Sequence, residues 1–142
     1  MSRNLYTVVN GLIHLYRLHG CPEALVAFTT PETRGLLGAL REAYAALCPR
    51  GRLEEKRLYG SLRRDAGLYE SMIRRLRGEG VEVYVNVTPG TKVMSLAAYL
   101  GAVRGGADKV FYLGIGDNSY AAVLLPFIPS SLVEYVELGA PR

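Results

Sequence analysis

The chain has no Trp, no Gln, two Cys, two His and three Phe among its 142 residues. Each scarcity excludes something. Two cysteines, Cys21 and Cys48, cannot build the dense cross-linked framework of a small secreted domain, and their spacing matches no metal-ligand pattern. The expected state is a pair of buried thiols. His14 and His19, spaced i, i+5, do not share one helix face, and no neighbouring carboxylate pattern suggests zinc. Neither a metal nor a cofactor is expected. No apolar run is long enough to span a bilayer, and the start MSRNLY lacks the apolar core of a signal peptide. The expectation is a cytoplasmic protein with no membrane partner.

What is present describes an ordinary globule. Apolar residues make up 49% of the chain and charged ones 21%, enough to bury a core in a single domain spanning 1–142. The formal charge is +4 and the pI near 9.2, but the basic residues are spread along the chain rather than gathered in a tail or stripe. Such a surface serves a small polyanion as readily as a duplex, and no direct DNA binding is expected.

Apolar periodicity alternates between strand and helix, which predicts an α/β fold with a doubly wound, mainly parallel sheet. Residues 5–9 are apolar and β-branched and run into Asn10-Gly11, so the preferred reading is a strand and tight turn followed by a helix over 12–19. An amphipathic helix is the rival, because Leu5, Val8, Val9, Leu12 and Tyr16 also fit a period of 3.6. A strand over 24–29 leads through Pro31 into a helix from about 32 to 47, which Cys48-Pro49-Arg50-Gly51 breaks. Residues 53–58 read as a third strand, whose charges suggest an edge or irregular segment. Asp65 is placed as N-cap of a helix over 66–77, with Leu68, Met72, Ile73 and Leu76 facing inward. Further elements are a strand over 81–87, a helix over 91–103, and strands over 109–113, 120–127 and 132–138. The last two are expected to form an antiparallel hairpin.

The most informative stretch is VEVYVNVTPGTKVMSLAAY, residues 81–99. A β-branched strand runs through a Pro-Gly turn into a helix that begins at Thr91 and Lys92. In an open α/β sheet, ligands bind at the carboxyl edge of the strands. The unpaired N–H groups of a first helical turn, together with an ammonium, make that edge attractive to anions. Gly90 permits close approach, Thr88 and Thr91 supply hydroxyls, and the Asn86 amide orients the loop or a base. Gly-Thr-Lys alone marks a helix start, and a Walker phosphate loop is excluded because its first Gly is absent.

Asn86-Val87-Thr88-Pro89-Gly90-Thr91-Lys92-Val93-Met94 resembles the signature of the CARF family, the CRISPR-associated Rossmann-fold domains, usually Asn-x-Thr-x-Gly-Thr-Lys-x-Met. Pro89 stands where relatives more often carry Gly, which makes the turn stiffer. A weaker likeness, Ala27-Phe28-Thr29-Thr30-Pro31-Glu32-Thr33, is similar to an earlier family strand end. The resemblance implies a homodimer that binds cyclic oligoadenylate, the messenger of type III CRISPR defence, with cyclic tetra-adenylate the expected form. The ligand-binding residues this resemblance implies are Thr29, Thr30, Asn86, Thr88, Pro89, Gly90, Thr91 and Lys92, with a cap of the next helix as the alternative for Thr30. Asn10 and Gly11, read as closing the first strand, are placed at the same sheet edge by right-handed crossovers or serve only as a turn.

Two other functions stay open. One is a metal-independent ring nuclease in which Lys92 stabilises charge as a ribose 2′-hydroxyl attacks its own phosphate in line. The other is a Rossmann-like module for a different nucleotide. Gly114-Ile115-Gly116 starts like a dinucleotide fingerprint, but the third Gly is missing and a turn is the better reading. Tyr59, Tyr84 and Tyr120 are candidates either to stack an adenine or to complete a core or dimer interface, and Arg64 either meets a phosphate or belongs to a solvated helix face. No segment resembles a fused effector.

Overall fold

Leu5, Val9 and Leu12 are all buried at helical spacing, and the first element of the computed structural model is accordingly a helix. The structure describes residues 3–139. Helix α1 spans Arg3–His19, so the rival reading of residues 5–9 holds and the strand ending at Asn10-Gly11 does not. The reason is burial: Leu5 and Val9 pack with Leu40, whereas Leu12 packs with Tyr44 and Cys48, which requires one continuous apolar stripe.

The chain divides into two compact units. The first holds residues 3–58 and 117–132. After α1 come strand β1 (Ala24–Thr29), a 3-10 turn (Arg34–Leu36), helix α2 (Leu37–Leu47) and strand β2 (Arg52–Arg57). The helix expected from about residue 32 thus begins later, behind Pro31 and a short 3-10 segment. β1 and β2 pair in parallel, with Ala24 opposite Arg52 and Thr29 opposite Arg57. Tyr44 is buried against Gly51, where any Cβ would collide with the ring, and its hydroxyl donates to the Pro22 carbonyl at 2.7 Å.

Cys21 and Cys48 form a disulfide, with Cα atoms 5.6 Å apart, rather than the expected pair of free thiols. The separation along the chain carried no sign of this. The end of α1 and the end of α2 bring the two residues together through the packing of Leu12, Tyr44 and Cys48.

Residues 120–127 do not form the expected strand. They fold into 3-10 turns at Asn118–Tyr120 and Leu125–Phe127, with a third at Ser130–Leu132. Pro126 removes a backbone donor within this stretch. Asn10, 4% exposed, then supplies long-range partners: its amide Nδ2 donates to the Val123 carbonyl at 3.0 Å, and its Oδ1 accepts the Leu125 N–H at 2.8 Å.

The second unit holds residues 59–116 and 133–139. Helix α3 (Leu62–Gly78) leads to strand β3 (Tyr84–Asn86), helix α4 (Lys92–Gly105), strand β4 (Lys109–Ile115) and strand β5 (Val133–Leu138). The sheet order is β3-β4-β5. β3 and β4 run parallel, with Asn86 opposite Phe111. β4 and β5 run antiparallel, with Val110 opposite Leu138. An antiparallel C-terminal pair is therefore present, but β4 is the partner of the last strand, not residues 120–127.

α3 and α4 approach closely because α4 presents small residues. Ala97 and Ala102 are fully buried, and a Cβ on Gly101 would fall on the Tyr69 Cβ and 2.7 Å from the Ala66 carbonyl oxygen. A Cβ on Gly105 would lie 2.9 Å from Ile73. As the contact advances from Gly101 to Gly105 it advances from Ala66 and Tyr69 to Ile73, so the helices run in the same direction. α3 starts at Leu62, four residues earlier than expected, and Asp65 lies in its first turn rather than at its cap. Gly106 closes α4 in the left-handed conformation, φ 78°, which glycine adopts without steric cost.

Candidate functional site

The turn between β3 and α4 is built from short polar side chains that bond to their own backbone. Asn86, the last residue of β3, accepts the Thr88 N–H on Oδ1 at 2.9 Å, an Asx-type closure that turns the chain out of the strand. Thr88 Oγ1 accepts the Leu113 N–H at 2.9 Å, so this hydroxyl fastens the turn to β4. The Val87 N–H donates to the Phe111 carbonyl at 3.0 Å, and Ser95 Oγ donates to the Val87 carbonyl at 2.7 Å.

Pro89 fixes one backbone angle of the turn, and Gly90 takes φ 89°, where a side chain would also meet Met94 within 2.8 Å. Thr91 caps α4: its extended backbone ends the turn, and Oγ1 accepts the Met94 N–H at 3.3 Å. The Ser95 N–H is satisfied by the Thr91 carbonyl at 3.0 Å. By helix geometry the first two helical N–H groups, those of Lys92 and Val93, have no acceptor within α4. Lys92 is exposed, and among the described residues its ammonium has no carboxylate within salt-bridge distance. The turn thus spends its side-chain oxygens on its own shape and offers outward a positive charge, two N–H groups and the positive end of a helix dipole.

The other expected ligand residues lie in the first unit. Asn10 and Gly11 are buried within α1, with both amide atoms of Asn10 bonded as described above. Thr29, 4% exposed, donates its hydroxyl to Glu55 Oε2 at 2.7 Å. Glu55 also lies 3.7 Å from Arg34 and 3.7 Å from Arg57. The Thr30 N–H donates to Thr33 Oγ1 at 2.9 Å, and the two hydroxyls are 3.1 Å apart. These threonines shape the end of β1.

One feature of the second unit escaped the sequence reading. Asp65, 2% exposed, accepts the Tyr59 N–H at 2.7 Å and the Gly60 N–H at 3.1 Å, and so fixes the loop ahead of α3. The only local sign is an acidic residue a few positions after a glycine. Arg64 places its guanidinium 4.4 Å from the centre of the Tyr59 ring. Tyr84, by contrast, donates its hydroxyl to Glu82 at 2.6 Å and lies beneath Lys109, 5.5 Å from its Nζ. Among the described residues no cluster of His, Cys, Asp and Glu is arranged to hold a metal ion, and no helix is long and apolar enough to cross a membrane.

A parallel strand, a tight turn and a helix that starts at an exposed Lys92 are the features of a Rossmann-like α/β fold. The family model of the Card1 CARF domain matches residues 66–127, a segment that contains the whole turn, so the resemblance in the Asn86 to Met94 signature is to a CARF domain. Among solved structures, the chain is similar to Can2 from Sulfobacillus thermosulfidooxidans in complex with cyclic tetra-adenylate, with a TM-score of 0.62 and 18% identity. The likeness covers 84% of this chain and 31% of that one, so this chain corresponds to less than a third of Can2. At that identity the likeness is one of fold. No curated protein matches in sequence.

Proposed function

We propose that this chain is a CARF-like domain that binds cyclic oligoadenylate, cyclic tetra-adenylate in particular, and serves as a dimeric sensor in type III CRISPR signalling. The observation that carries this reading is the 86–95 turn. Asn86, Thr88, Thr91 and Ser95 hold its backbone, while Lys92 is exposed and the Lys92 and Val93 N–H groups have no acceptor within α4. A phosphodiester fits that arrangement because it presents two acceptor oxygens and one negative charge. The ligand bound by Can2 is of this class and supports the choice.

Dimerisation is supported by α4 itself. Val93 and Leu96 are 49% and 55% exposed beside the cationic turn, an apolar margin that a second copy would cover. A symmetric ring is matched by an isologous interface that duplicates each contact. Asn10 and Thr29 bond within the first unit, so the reading is argued from residues 86–95.

The test is the binding of cyclic tetra- and hexa-adenylate to the wild type, Lys92→Ala and Thr91→Ala, with light scattering for mass. Lys92→Ala removes a charge-assisted contact of about 1.5–3 kcal/mol, so affinity falls by tens-fold while the melting temperature without ligand barely moves. Thr91→Ala lowers stability by about 1 kcal/mol through the lost cap. Unaltered binding by Lys92→Ala overturns the site. A monomer mass with and without ligand overturns the dimer, and linear products carrying a 2′,3′-cyclic phosphate would identify a ring nuclease in place of a sensor.

A further inference from the structure

We infer that Tyr59, backed by Arg64, is a stacking platform for a purine base of the same ligand; this rests on the cyclic oligoadenylate reading above. Tyr59 is 61% exposed although the Arg64 guanidinium lies 4.4 Å from its ring centre. A ring covered on one side and still so exposed has its other face open to solvent. The cation behind the ring also orients it, so that little rotational freedom is lost when a base stacks on the front.

The backbone under the ring is equally fixed. Asp65 is 2% exposed, and both of its oxygens are spent on the loop: Oδ1 on the Tyr59 N–H at 2.7 Å, Oδ2 on the Gly60 N–H at 3.1 Å. Gly60 adopts φ 87°, and the Asp65 N–H closes the turn on the Ser61 carbonyl at 2.8 Å. A buried carboxylate devoted to two main-chain donors is costly unless both bonds are made, and here both are. The result is a large aromatic side chain held outward on a rigid loop, the reverse of what core packing would produce.

Position favours the same ligand. α3 and α4 run in the same direction in close contact, so Tyr59, three residues before α3, and Lys92, the first residue of α4, belong to the same end of the second unit. A nucleotide whose phosphate meets Lys92 carries its base on the sugar beside it, and a flat apolar surface at that end is what the base requires. Tyr84 is a poorer platform, since it is only partly exposed and Glu82 holds its hydroxyl.

The experiment compares cyclic tetra-adenylate binding by wild type, Tyr59→Ala, Tyr59→Phe and Arg64→Met. Adenosine 5′-monophosphate and ribose 5-phosphate serve as probes that differ only in the base, and the Tyr59 ring resonance is followed by nuclear magnetic resonance. Tyr59→Ala should weaken cyclic tetra-adenylate at least about tenfold and Arg64→Met several-fold, whereas Tyr59→Phe stays within about twofold. The melting temperatures without ligand should match. The wild type should prefer adenosine 5′-monophosphate to ribose 5-phosphate and lose that preference in Tyr59→Ala, and the Tyr59 resonance should shift upfield with the base-bearing probe alone. Wild-type binding of the cyclic ligand with equal affinity in Tyr59→Ala overturns the platform and leaves the proposed function standing. No binding by the wild type overturns both.

Discussion

Ser95 reaches back from the first turn of α4 and donates its hydroxyl to the Val87 carbonyl at 2.7 Å, joining the helix to the strand it follows. The Val87 N–H is held by Phe111, so both polar groups of that peptide position are satisfied from different elements. The bond ties the first turn of α4, which carries Lys92, to the end of the strand.

Ser95→Ala should therefore lower stability by about 1 kcal/mol and also weaken cyclic oligoadenylate, although Ser95 need not touch it. Ser95→Thr keeps the hydroxyl and should recover most of the affinity. Thermal melting and calorimetric titration of both variants provide the check, and a loss of stability with undiminished affinity would show that the bond does not aim the helix.

Asn10 offers the opposite pattern. Asn10→Ala deprives the Val123 carbonyl and the Leu125 N–H of partners, with a loss of about 1–3 kcal/mol for the buried groups left unsatisfied. Binding by the fraction that remains folded should be unchanged. A variant that melts like the wild type but binds weakly would return Asn10 to the ligand-contacting set.

These two residues also show how far the sequence could be read. The 86–95 turn was legible because most of its bonds are local: Asn86 to Thr88, Thr91 to Met94 and Ser95 to Val87 lie within one short segment, whereas those of Thr88 and Val87 to β4 do not. β1 and α4 followed from apolar periodicity and glycine punctuation in the same way, whereas β2, RLEEKR, offers little apolar pattern. Residues 5–9 misled because Val8 and Val9 are β-branched and Asn10-Gly11 resembles a hairpin turn. The partners that make Asn10 a helix residue lie at 123 and 125, beyond the reach of any local pattern. Residues 120–127 misled for the matching reason, since their backbone is satisfied by 3-10 turns and by Asn10 rather than by a neighbouring strand. The partners of Asp65, at 59 and 60, are near in sequence, but a carboxylate that serves the loop behind it reads like an ordinary N-cap.

Reduction of the Cys21–Cys48 bond should destabilise the first unit. The two residues are separated by 27 positions, and closing a loop of that size contributes about 2–4 kcal/mol on the chain-entropy model. Melting with and without a strong reductant, beside a Cys21→Ser variant, measures it. Equal melting temperatures in all three would remove any stabilising role for the bond.

Alkaline pH should weaken the second unit. Burial, and then the negative charge of Asp65, raise the Tyr69 phenol above its ordinary value of 10.0. The hydrogen bond to Glu82 leads the causes that push Tyr84 up to about 12, and burial leads those that do the same for Tyr135. A raised value in the folded state means that the unfolded chain loses its phenolic protons first. The stabilising contribution is complete below pH 10 and is lost as the pH rises through the folded values, with Tyr69 adding up to about 1.4 kcal/mol per pH unit. Denaturant melts between pH 9 and about 12 should show that decline, and Tyr69→Phe should flatten it; an unchanged slope would assign the alkaline loss elsewhere.

The glycines at 101 and 105 have a mechanical consequence. Where most helix pairs meet through interleaved side chains that can re-rotate to absorb a displacement, α3 and α4 meet backbone against side-chain root, with nothing compliant between them. A nudge given to the start of one is carried by the other as well, so Lys92 and the Tyr59 loop ought to respond to a ligand as one lever rather than as two independent fingers.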